Sequence, residues 1–295
     1  MTQQFYAVTG ATGAQGGAVV HALRRAGHPV RALTRDPASP AAAELRALGA
    51  EVVRADFDDP ASLLAALTGA DALFAMSTPF GAGSTPFSTG FAAETRQGIA
   101  LLDAAVAAGT VRHVVFSSAS NADRGTGIPH FESKHLIERH LATLPLGHTI
   151  LGPGVFMENY ANSWTLELLR QGVLALPMPG DRPLPVIAAA DIGAFAALAL
   201  TRPERFAGRR IDIASQWRTP VQLAAAISAA CGREIVHREV PLAEVAGYSP
   251  DLAAMFRYFQ QVGLEVDVEA LHRDHPEVGW HTMARWAAER TWDLG

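Results

Sequence analysis

A glycine-rich turn near the start of the chain constrains the fold more than any other stretch. The run Thr9–Gly17 follows an apolar segment, Phe5–Val8, and precedes an amphipathic segment, Ala18–Arg25. A strand, a tight glycine turn and a helix start, in this order, build a cradle for phosphate groups, because the positive end of the helix faces them. The sequence therefore predicts a nucleotide-binding βα unit at the N-terminus.

Each glycine of this turn has its own steric role. Gly10 lets the chain turn sharply, and Gly13 removes a side chain that would hold a pyrophosphate away from the backbone. Gly16 lets the helix lie close to the sheet. We expect the phosphates to be bound by the residues of the turn, namely Gly10, Thr12, Gly13, Ala14, Gln15 and Gly16.

The first half of the chain alternates strand-like and helix-like segments with short connections. We expect strands at 30–34, 51–55, 72–76, 113–117 and 148–151, and long helices at 91–108 and 131–144. A repeated βαβ order produces a parallel sheet with helices on both faces. The predicted fold class is α/β, a Rossmann-type doubly wound parallel sheet.

This alternation is lost in the second half. We expect a helix over 159–171, and another that Asp191 caps and that runs to about Leu200. The sequence predicts a Rossmann domain at 1–152 and a smaller, mainly helical C-terminal substrate domain at 153–295, packed over the carboxyl edge of the sheet. Strands of the sheet can also come from this half.

Composition and charge limit the partners of the chain. Its 295 residues carry a formal net charge of −5, which gives no basic surplus for binding nucleic acid directly. Cys231 is the single cysteine, so no internal disulfide can form. No apolar run has the length of a membrane span, and we find no signal sequence. We expect a cytoplasmic protein with a small-molecule substrate and no membrane attachment.

The end of the second strand predicts the choice of cofactor. In dinucleotide folds an acid at this point binds the 2′-hydroxyl of NAD, whereas an arginine pairs with the 2′-phosphate of NADP. This strand ends with Leu33, Thr34 and Arg35, and therefore favours NADP(H). In the alternative interpretation, Arg35 pairs with the adjacent Asp36.

An acidic turn after the third strand is a candidate adenine site. Asp56 has a carboxylate that can accept a hydrogen bond from the adenine amino group, and Phe57 can cover the ring. Alternatively, the acids Asp58 and Asp59 cap the following helix. The two interpretations are compatible.

Several of these motifs together resemble the NmrA-like family, a branch of the atypical short-chain dehydrogenase/reductases. They are Thr9–Gly17, Thr34–Arg35, Asp56–Asp58, Ser117–Ser118, Phe131–Lys134 and Pro153–Asn159. The resemblance covers most of the chain to about residue 215. It implies NADP binding, in which we include Gly154 and Phe156. It also implies either reduction of quinones or phenolic compounds, or a dinucleotide-sensing role without evident turnover.

The resemblance also indicates where a reaction would occur. Short-chain dehydrogenases use a Tyr-x-x-x-Lys pair, in which the lysine holds the ribose and the tyrosine gives a proton. Here the lysine is Lys134, but the tyrosine position is His130. His130 is a candidate acid, since an imidazole titrates near neutral pH, or it is only a loop residue before the helix. Tyr160 is a second candidate proton donor, or a packing residue at the domain junction.

Polar residues that follow strands are further candidates. Ser117 ends the fifth strand, and Ser77 and Thr78 follow the fourth, at the sheet edge where ligands bind. Phe80 can cover the nicotinamide or simply pack in its loop. The cluster His272, Asp274, His275, Glu277 and His281 has metal-ligand residue types but no compact zinc spacing, so we predict no metal site.

The sequence thus favours an NADPH-dependent oxidoreductase that acts on a small quinone, enone or carbonyl compound. A quinone suits the site because it needs less acid assistance than a ketone. The alternative is an NADP(H)-sensing regulator that controls a protein partner.

Overall fold

A parallel sheet of seven strands forms the centre of the computed structural model, which describes residues 4–78 and 90–294. Alternating strands and helices make up the first half: β1 (Tyr6–Val8), α1 (Ala14–Arg25), β2 (Val30–Thr34), α2 (Pro40–Ala47), β3 (Glu51–Arg54), α3 (Pro60–Leu67), β4 (Ala72–Met76), α4 (Phe91–Ala107), β5 (His113–Ser117), α5 (Pro129–Leu141) and β6 (Gly147–Pro153). These strands have the order β3-β2-β1-β4-β5-β6, and all neighbouring pairs are parallel. The chain adds β2 and β3 on one side of β1, then crosses to the other side of β1 for β4, β5 and β6. The predicted Rossmann-type fold is confirmed.

The second half both covers the sheet and returns to it. Its elements are β7 (Val155–Phe156), α6 (Ser163–Arg170), β8 (Val173–Leu176), β9 (Leu184–Ile187), α7 (Ala189–Thr201), α8 (Pro203–Phe206), β10 (Arg209–Ile213), β11 (Gln216–Arg218), α9 (Pro220–Cys231), β12 (Val236–Glu239), α10 (Leu242–Tyr248), α11 (Pro250–Gln261), α12 (Val268–Asp274) and α13 (Met283–Ala288). β10 pairs in parallel with β6 and is the seventh strand of the sheet. β7, β9 and β11 form a small second sheet, and β8 pairs with β12.

Capping residues start two helices of the first half, and one of them, Asp59, was predicted as a cap. The Ser39 side chain accepts a hydrogen bond from the Ala42 N–H at the start of α2, and Asp59 accepts one from the Ser62 N–H at the start of α3. Each of these helices has a proline at its first position, where its missing N–H costs nothing. The local signals therefore act as expected.

Three expectations need correction. Asp191 does not cap α7; Ala188 precedes the helix, and the Asp191 carboxylate accepts hydrogen bonds from Ser215 and His281. The helix expected over 159–171 is split into a 3-10 turn at Met157–Ala161 and α6, because Asn162 caps α6 and interrupts the run. α5 begins at Pro129, so His130 lies within its first turn and is not a loop residue.

Apolar side chains pack on both faces of the sheet. One cluster joins the sheet to α1 and α7 through Val19, Leu23, Ile192 and Phe195, among others. A second joins the opposite face to α3, α4 and α5, and a third fills the C-terminal region. No helix in the described part of the chain is long and apolar enough to cross a bilayer.

Helices α1 and α7 touch through their backbones. A Cβ atom on Gly193 of α7 would lie 2.5 Å from the carbonyl carbon of Ala18 in α1 and 2.7 Å from its Cβ. Real Cβ atoms do not approach backbone this closely, so a side chain at this position would force the helices apart. The glycine at 193 therefore sets the distance between a helix of the first half and one of the second.

We predict that Gly193→Ala lowers the free energy of unfolding by about 1–3 kcal/mol, because it overpacks this contact. Urea unfolding followed by circular dichroism measures the change. Gly247→Ala is the matched control, since no atom lies within 4 Å of the added Cβ. That variant should be neutral or more stable by up to about 1 kcal/mol, because alanine favours a helix over glycine. Equal stability of the two variants would contradict the argument.

Candidate functional site

The glycine turn has the geometry that a phosphate cradle requires. Gly10 has a positive φ of 59°, and the Gly13 N–H donates a hydrogen bond to its carbonyl oxygen at 2.9 Å. A Cβ on Gly16 would lie 2.3 Å from the Gly10 oxygen and 2.5 Å from the Thr9 oxygen. The roles predicted for Gly10 and Gly16 therefore match the structure. No described side chain caps the start of α1. The first N–H groups of a helix have no partner within the helix, so a ligand can bind them here.

A cavity of about 550 Å³ opens beside this turn, at the carboxyl ends of β1, β2 and β3. Its walls include many of the predicted residues: Gly10, Thr12, Gly13, Arg35, Asp56, Phe57 and Thr78. Three further residues of the wall, Ser39, Met76 and Gln97, escaped the sequence analysis. The carboxyl ends of several strands meet the first turns of helices here, so residues far apart in the sequence share one cavity.

Arg35 is exposed at the rim of this cavity. Its side chain makes no ion pair or hydrogen bond with any described residue. The carboxylate of Asp36 instead accepts a hydrogen bond from the Ala38 N–H at 2.8 Å. Asp36 therefore does not pair with Arg35 in the structure, in contrast to the alternative interpretation. The Arg35 guanidinium is available to an anionic ligand.

The acidic turn after β3 has a geometry compatible with both roles considered for it. The Asp56 carboxylate accepts a hydrogen bond from the Asp58 N–H at 3.1 Å, while Asp59 caps α3. Phe57 is half-buried and forms part of the cavity wall. The turn thus keeps its helix-capping role and still presents a carboxylate and a ring to the cavity.

Lys134 stands in a buried polar cluster that we call the Glu94 cluster. Its Nζ lies 2.9 Å from Glu94 Oε1 and 3.1 Å from the Ser77 carbonyl oxygen. Glu94 also accepts hydrogen bonds from the hydroxyls of Ser77 (2.9 Å) and Ser133 (2.5 Å). The Glu94 side chain is fully buried and that of Lys134 is 12% exposed. The cluster ties the end of β4 to α4 and α5.

The sequence analysis missed Glu94, although a signal exists. Glu94 shares one face of α4 with Gly98, Leu101, Leu102 and Ala105, which are all buried. A carboxylate on an otherwise apolar stripe requires a partner, because a lone buried charge is costly. Lys134 is also the single lysine of a chain that has 23 arginines.

The remaining predicted residues near the sheet edge mainly contact one another or the core. The Ser117 hydroxyl donates to Gln15 Oε1 at 2.6 Å and so joins β5 to α1. Ala14 lines a second cavity, of about 440 Å³, which lies between α1, α2 and α7. A Cβ on Gly154 would lie 2.4 Å from the Pro185 oxygen, so this glycine permits a backbone approach within the C-terminal region. Phe156 packs against the core of the sheet.

His130 faces a residue of the C-terminal region. Its Nδ1 lies 2.6 Å from Asp251 Oδ2 of α11, and its backbone N–H donates to Asp251 Oδ1 at 3.2 Å. Both side chains are largely buried, at 12% and 8% exposure. His130 therefore stands where the family pattern has tyrosine, but its ring is paired with a carboxylate.

Tyr160 is buried in the core of the C-terminal region. Burial raises the pKa of its phenol above the ordinary value. Its hydroxyl makes no hydrogen bond to any described residue. These surroundings favour a packing role, and we assign Tyr160 no proton. Phe80, the candidate cover for the nicotinamide, lies outside the described residues.

A charged network supports the loop that follows β5. Arg210 of β10 contacts Glu138 of α5 at 3.2 Å and Asp212 at 2.5 Å. Asp212 in turn accepts a hydrogen bond from the Asn121 side chain at 2.7 Å. Burial raises the pKa of Asp212, although Arg210 opposes the shift. Asn121 has a positive φ of 59°, so the loop relies on these contacts for its shape.

The acidic and histidine residues near the C-terminus have separate partners. His272 contacts the Ser215 carbonyl oxygen, His281 pairs with Asp191, and Glu277 pairs with Arg205. Within the described ranges, no three His, Cys, Asp or Glu side chains converge on a point where a metal ion would fit.

The family of the chain follows from its sequence profile. The NmrA-like family profile matches residues 2–287. The chain belongs to the NmrA-like family. An NAD(P)H azoreductase from Xenophilus azovorans is 31% identical to this NmrA-like protein over 237 residues, which cover 80% of the chain and 77% of the relative.

Two further similarities lead in different functional directions. The nitrogen metabolite repression protein of Emericella nidulans is 27% identical over 266 residues, 84% of this NmrA-like protein and 73% of the relative. The structure of an Escherichia coli NADPH-dependent quinone oxidoreductase with NADPH aligns with a TM-score of 0.78 at 27% identity, over 96% of this chain and 98% of that one. The similar proteins thus include two named as a reductase or oxidoreductase and one named as a repression protein.

We predict that Lys134→Met destabilises the protein by about 3–5 kcal/mol, because it leaves the Glu94 carboxylate buried without its cation. Lys134→Met combined with Glu94→Gln should recover much of this loss, since the double change removes both charges. Urea unfolding of the wild type, the single variants and the double variant measures the coupling. Additive losses would show that the two side chains do not depend on each other.

Proposed function

We propose that this protein is an NADPH-dependent reductase whose substrates are small quinones. The observation that carries the proposal is Arg35, which stands exposed at the rim of a cavity that the glycine turn bounds. The end of the second strand is where a Rossmann sheet meets the adenosine ribose, and a guanidinium there pairs with a 2′-phosphate. NADPH carries that phosphate and NADH does not.

The residues around the cavity fit a dinucleotide. The close approach at Gly16 brings the uncapped start of α1 to the turn, where its N–H groups can bind the pyrophosphate. Asp56 and Phe57 would hold the adenine. When bound, NADPH supplies a hydride to the acceptor, and the residues of the chain supply orientation and protons.

Lys134 would hold the nicotinamide half of the cofactor. An ammonium group has three N–H donors. Glu94 and the Ser77 carbonyl accept two of them, at 2.9 and 3.1 Å, and the Ser77 hydroxyl lies at the longer distance of 3.4 Å. We assign the third donor to a ribose hydroxyl, which would replace this long contact when the cofactor binds. Because Glu94 is fixed by two hydroxyls as well, the cluster holds the ammonium in place before any ligand binds.

The acceptor class follows from the residue at the tyrosine position. A ketone needs a strong proton donor because hydride addition leaves an alkoxide, whereas a quinone yields a stabilised hydroquinone anion. His130 in place of tyrosine therefore favours a quinone over a simple ketone. A quinone oxidoreductase among the similar proteins supports the same class of acceptor, and an azoreductase among them supports a reductase in general.

We predict that Arg35→Ala weakens NADPH binding about 10- to 100-fold, the value of one charge-assisted hydrogen-bonded pair of about 1.5–3 kcal/mol. NADH binding should change by less than about threefold, because NADH offers no phosphate to Arg35. Fluorescence titration of both cofactors measures the difference. Arg46→Ala removes the same charge from an exposed site on α2 and serves as the control. An equal effect on both cofactors would contradict the NADP preference.

Turnover is tested by following NADPH oxidation at 340 nm with benzoquinone, a naphthoquinone, an azo dye and cyclohexenone. We expect the quinones to be reduced fastest and the enone slowest.

An amine-reactive label tests the assignment of Lys134 to the cofactor. Lys134 is the single lysine of the chain, and bound NADPH should protect it from the label. Tight binding of NADPH, without its oxidation by any of these acceptors, would contradict the proposed reductase function.

That negative result would instead support the second candidate, an NADP(H)-sensing regulator with a protein partner. The observation that favours it is the replacement of the expected tyrosine by His130, paired with Asp251. The similarity to the nitrogen metabolite repression protein points in the same direction.

A further inference from the structure

The contact between His130 and Asp251 joins the two halves of the chain beside the proposed reaction site. His130 lies one helical turn before Lys134, on the same face of α5, and Asp251 lies in the first turn of α11. Each oxygen of the Asp251 carboxylate meets one group of His130, the ring Nδ1 at 2.6 Å and the backbone N–H at 3.2 Å. The two contacts together fix both the ring and the start of its helix.

A carboxylate at one ring nitrogen of histidine determines what the other nitrogen can do. An ion pair with the carboxylate stabilises the charged imidazolium, in which both ring nitrogens carry a proton. Nε2 is then the atom that can give up a proton. Packing also restricts the ring, since His130 stacks edge-on against Phe131 with ring centroids 4.8 Å apart.

We propose that Asp251 is a positioning residue that orients His130, and that His130 Nε2 delivers the proton to the oxygen of the acceptor. This inference rests on the proposed reductase function and adds the source of its proton. The acid would therefore be assembled from both halves of the chain, with the imidazole on α5 and its carboxylate on α11.

The step balances in atoms and charge. NADPH is oxidised to NADP⁺ as its nicotinamide C4–H bond breaks, and the hydride, with both electrons of that bond, forms a new bond to the quinone. The resulting hydroquinone anion takes one proton from the His130 imidazolium, whose Nε2–H bond breaks. The products are the hydroquinone and a neutral imidazole, which is reprotonated from water.

Two other carboxylates near His130, those of Glu94 and Glu132, contact other groups, so we assign the Asp251 carboxylate to His130. Lys134, on the next turn of α5, is already matched by Glu94 at 2.9 Å. Glu132, also on α5, accepts a hydrogen bond from the Gly127 N–H at 3.1 Å. Removing the Asp251 charge should thus act on the ring of His130 more than on the cofactor-binding groups.

The test compares Asp251→Asn and His130→Phe with the wild type over a series of acceptors, from benzoquinone through methylated benzoquinones to cyclohexenone. Asparagine keeps an oxygen for the His130 N–H and removes only the charge. We expect kcat to fall a few-fold with benzoquinone and about 100-fold with the acceptors whose reduced oxygens are most basic, because general acids contribute most there. KM for NADPH should stay unchanged.

A control and a rescue separate positioning from mere structure. Asp103→Asn removes the carboxylate that lies 2.7 Å from His140, at the far end of the same helix, and should leave turnover unchanged. His130→Tyr places a phenol at this position and should restore turnover with the demanding acceptors. In that background Asp251→Asn should have no further effect on kcat.

Solvent isotope effects on the wild type give a measurement that needs no variant to fold. We expect slower turnover of the demanding acceptors in D₂O, and loss of this effect in His130→Phe. The inference is overturned if the wild type shows no solvent isotope effect with these acceptors. It is also overturned if the Asp251→Asn deficit is equal for all acceptors. If the wild type oxidises NADPH with none of them, the proposed function itself fails, which is a distinct result.

Discussion

Two glycines determine the position of helix α1, because each permits a backbone contact that a side chain would block. On one side Gly16 lets the helix meet the backbone of the Gly10 turn, and on the other Gly193 of α7 lets it meet Ala18. Because close-packed backbones leave no slack, these contacts fix both the distance of α1 from the sheet and its direction. The helix start therefore faces the cavity, and the position of the cavity depends on residues from both halves of the chain.

The parts of the fold that could be predicted from the sequence are those that depend on local signals. The bounds predicted for β4 and β5 are those observed, and Ser39 and Asp59 cap the helices that follow them. These features depend on residues within one turn or strand. Asp191 was misjudged because an acid before an apolar run has the pattern of a cap, whereas its partners, Ser215 and His281, are distant in sequence.

The same distinction between local signals and distant partners applies to the candidate site. The positions of the glycine turn and of Arg35 were predictable because each follows the end of one strand. Glu94 and Asp251 were not, since each acquires its meaning only from a partner that the fold brings close. Glu94 still left a trace, as a charge on the buried stripe of α4, and Asp251 left none. Sequence patterns therefore locate residues that follow one strand more readily than residues whose partners lie on another element.

The course of the chain limits how its C-terminal region can move. The chain leaves the sheet after Pro153, returns through Ala189 into α7, and leaves again after Ile213. The two exits lie side by side, and the Gly154 N–H donates to the Ile213 carbonyl oxygen at 2.9 Å. A body tied at three points cannot swing about a single hinge, so small sliding displacements are favoured over wide opening. Asp251 would then stay in register with α5 while ligands come and go.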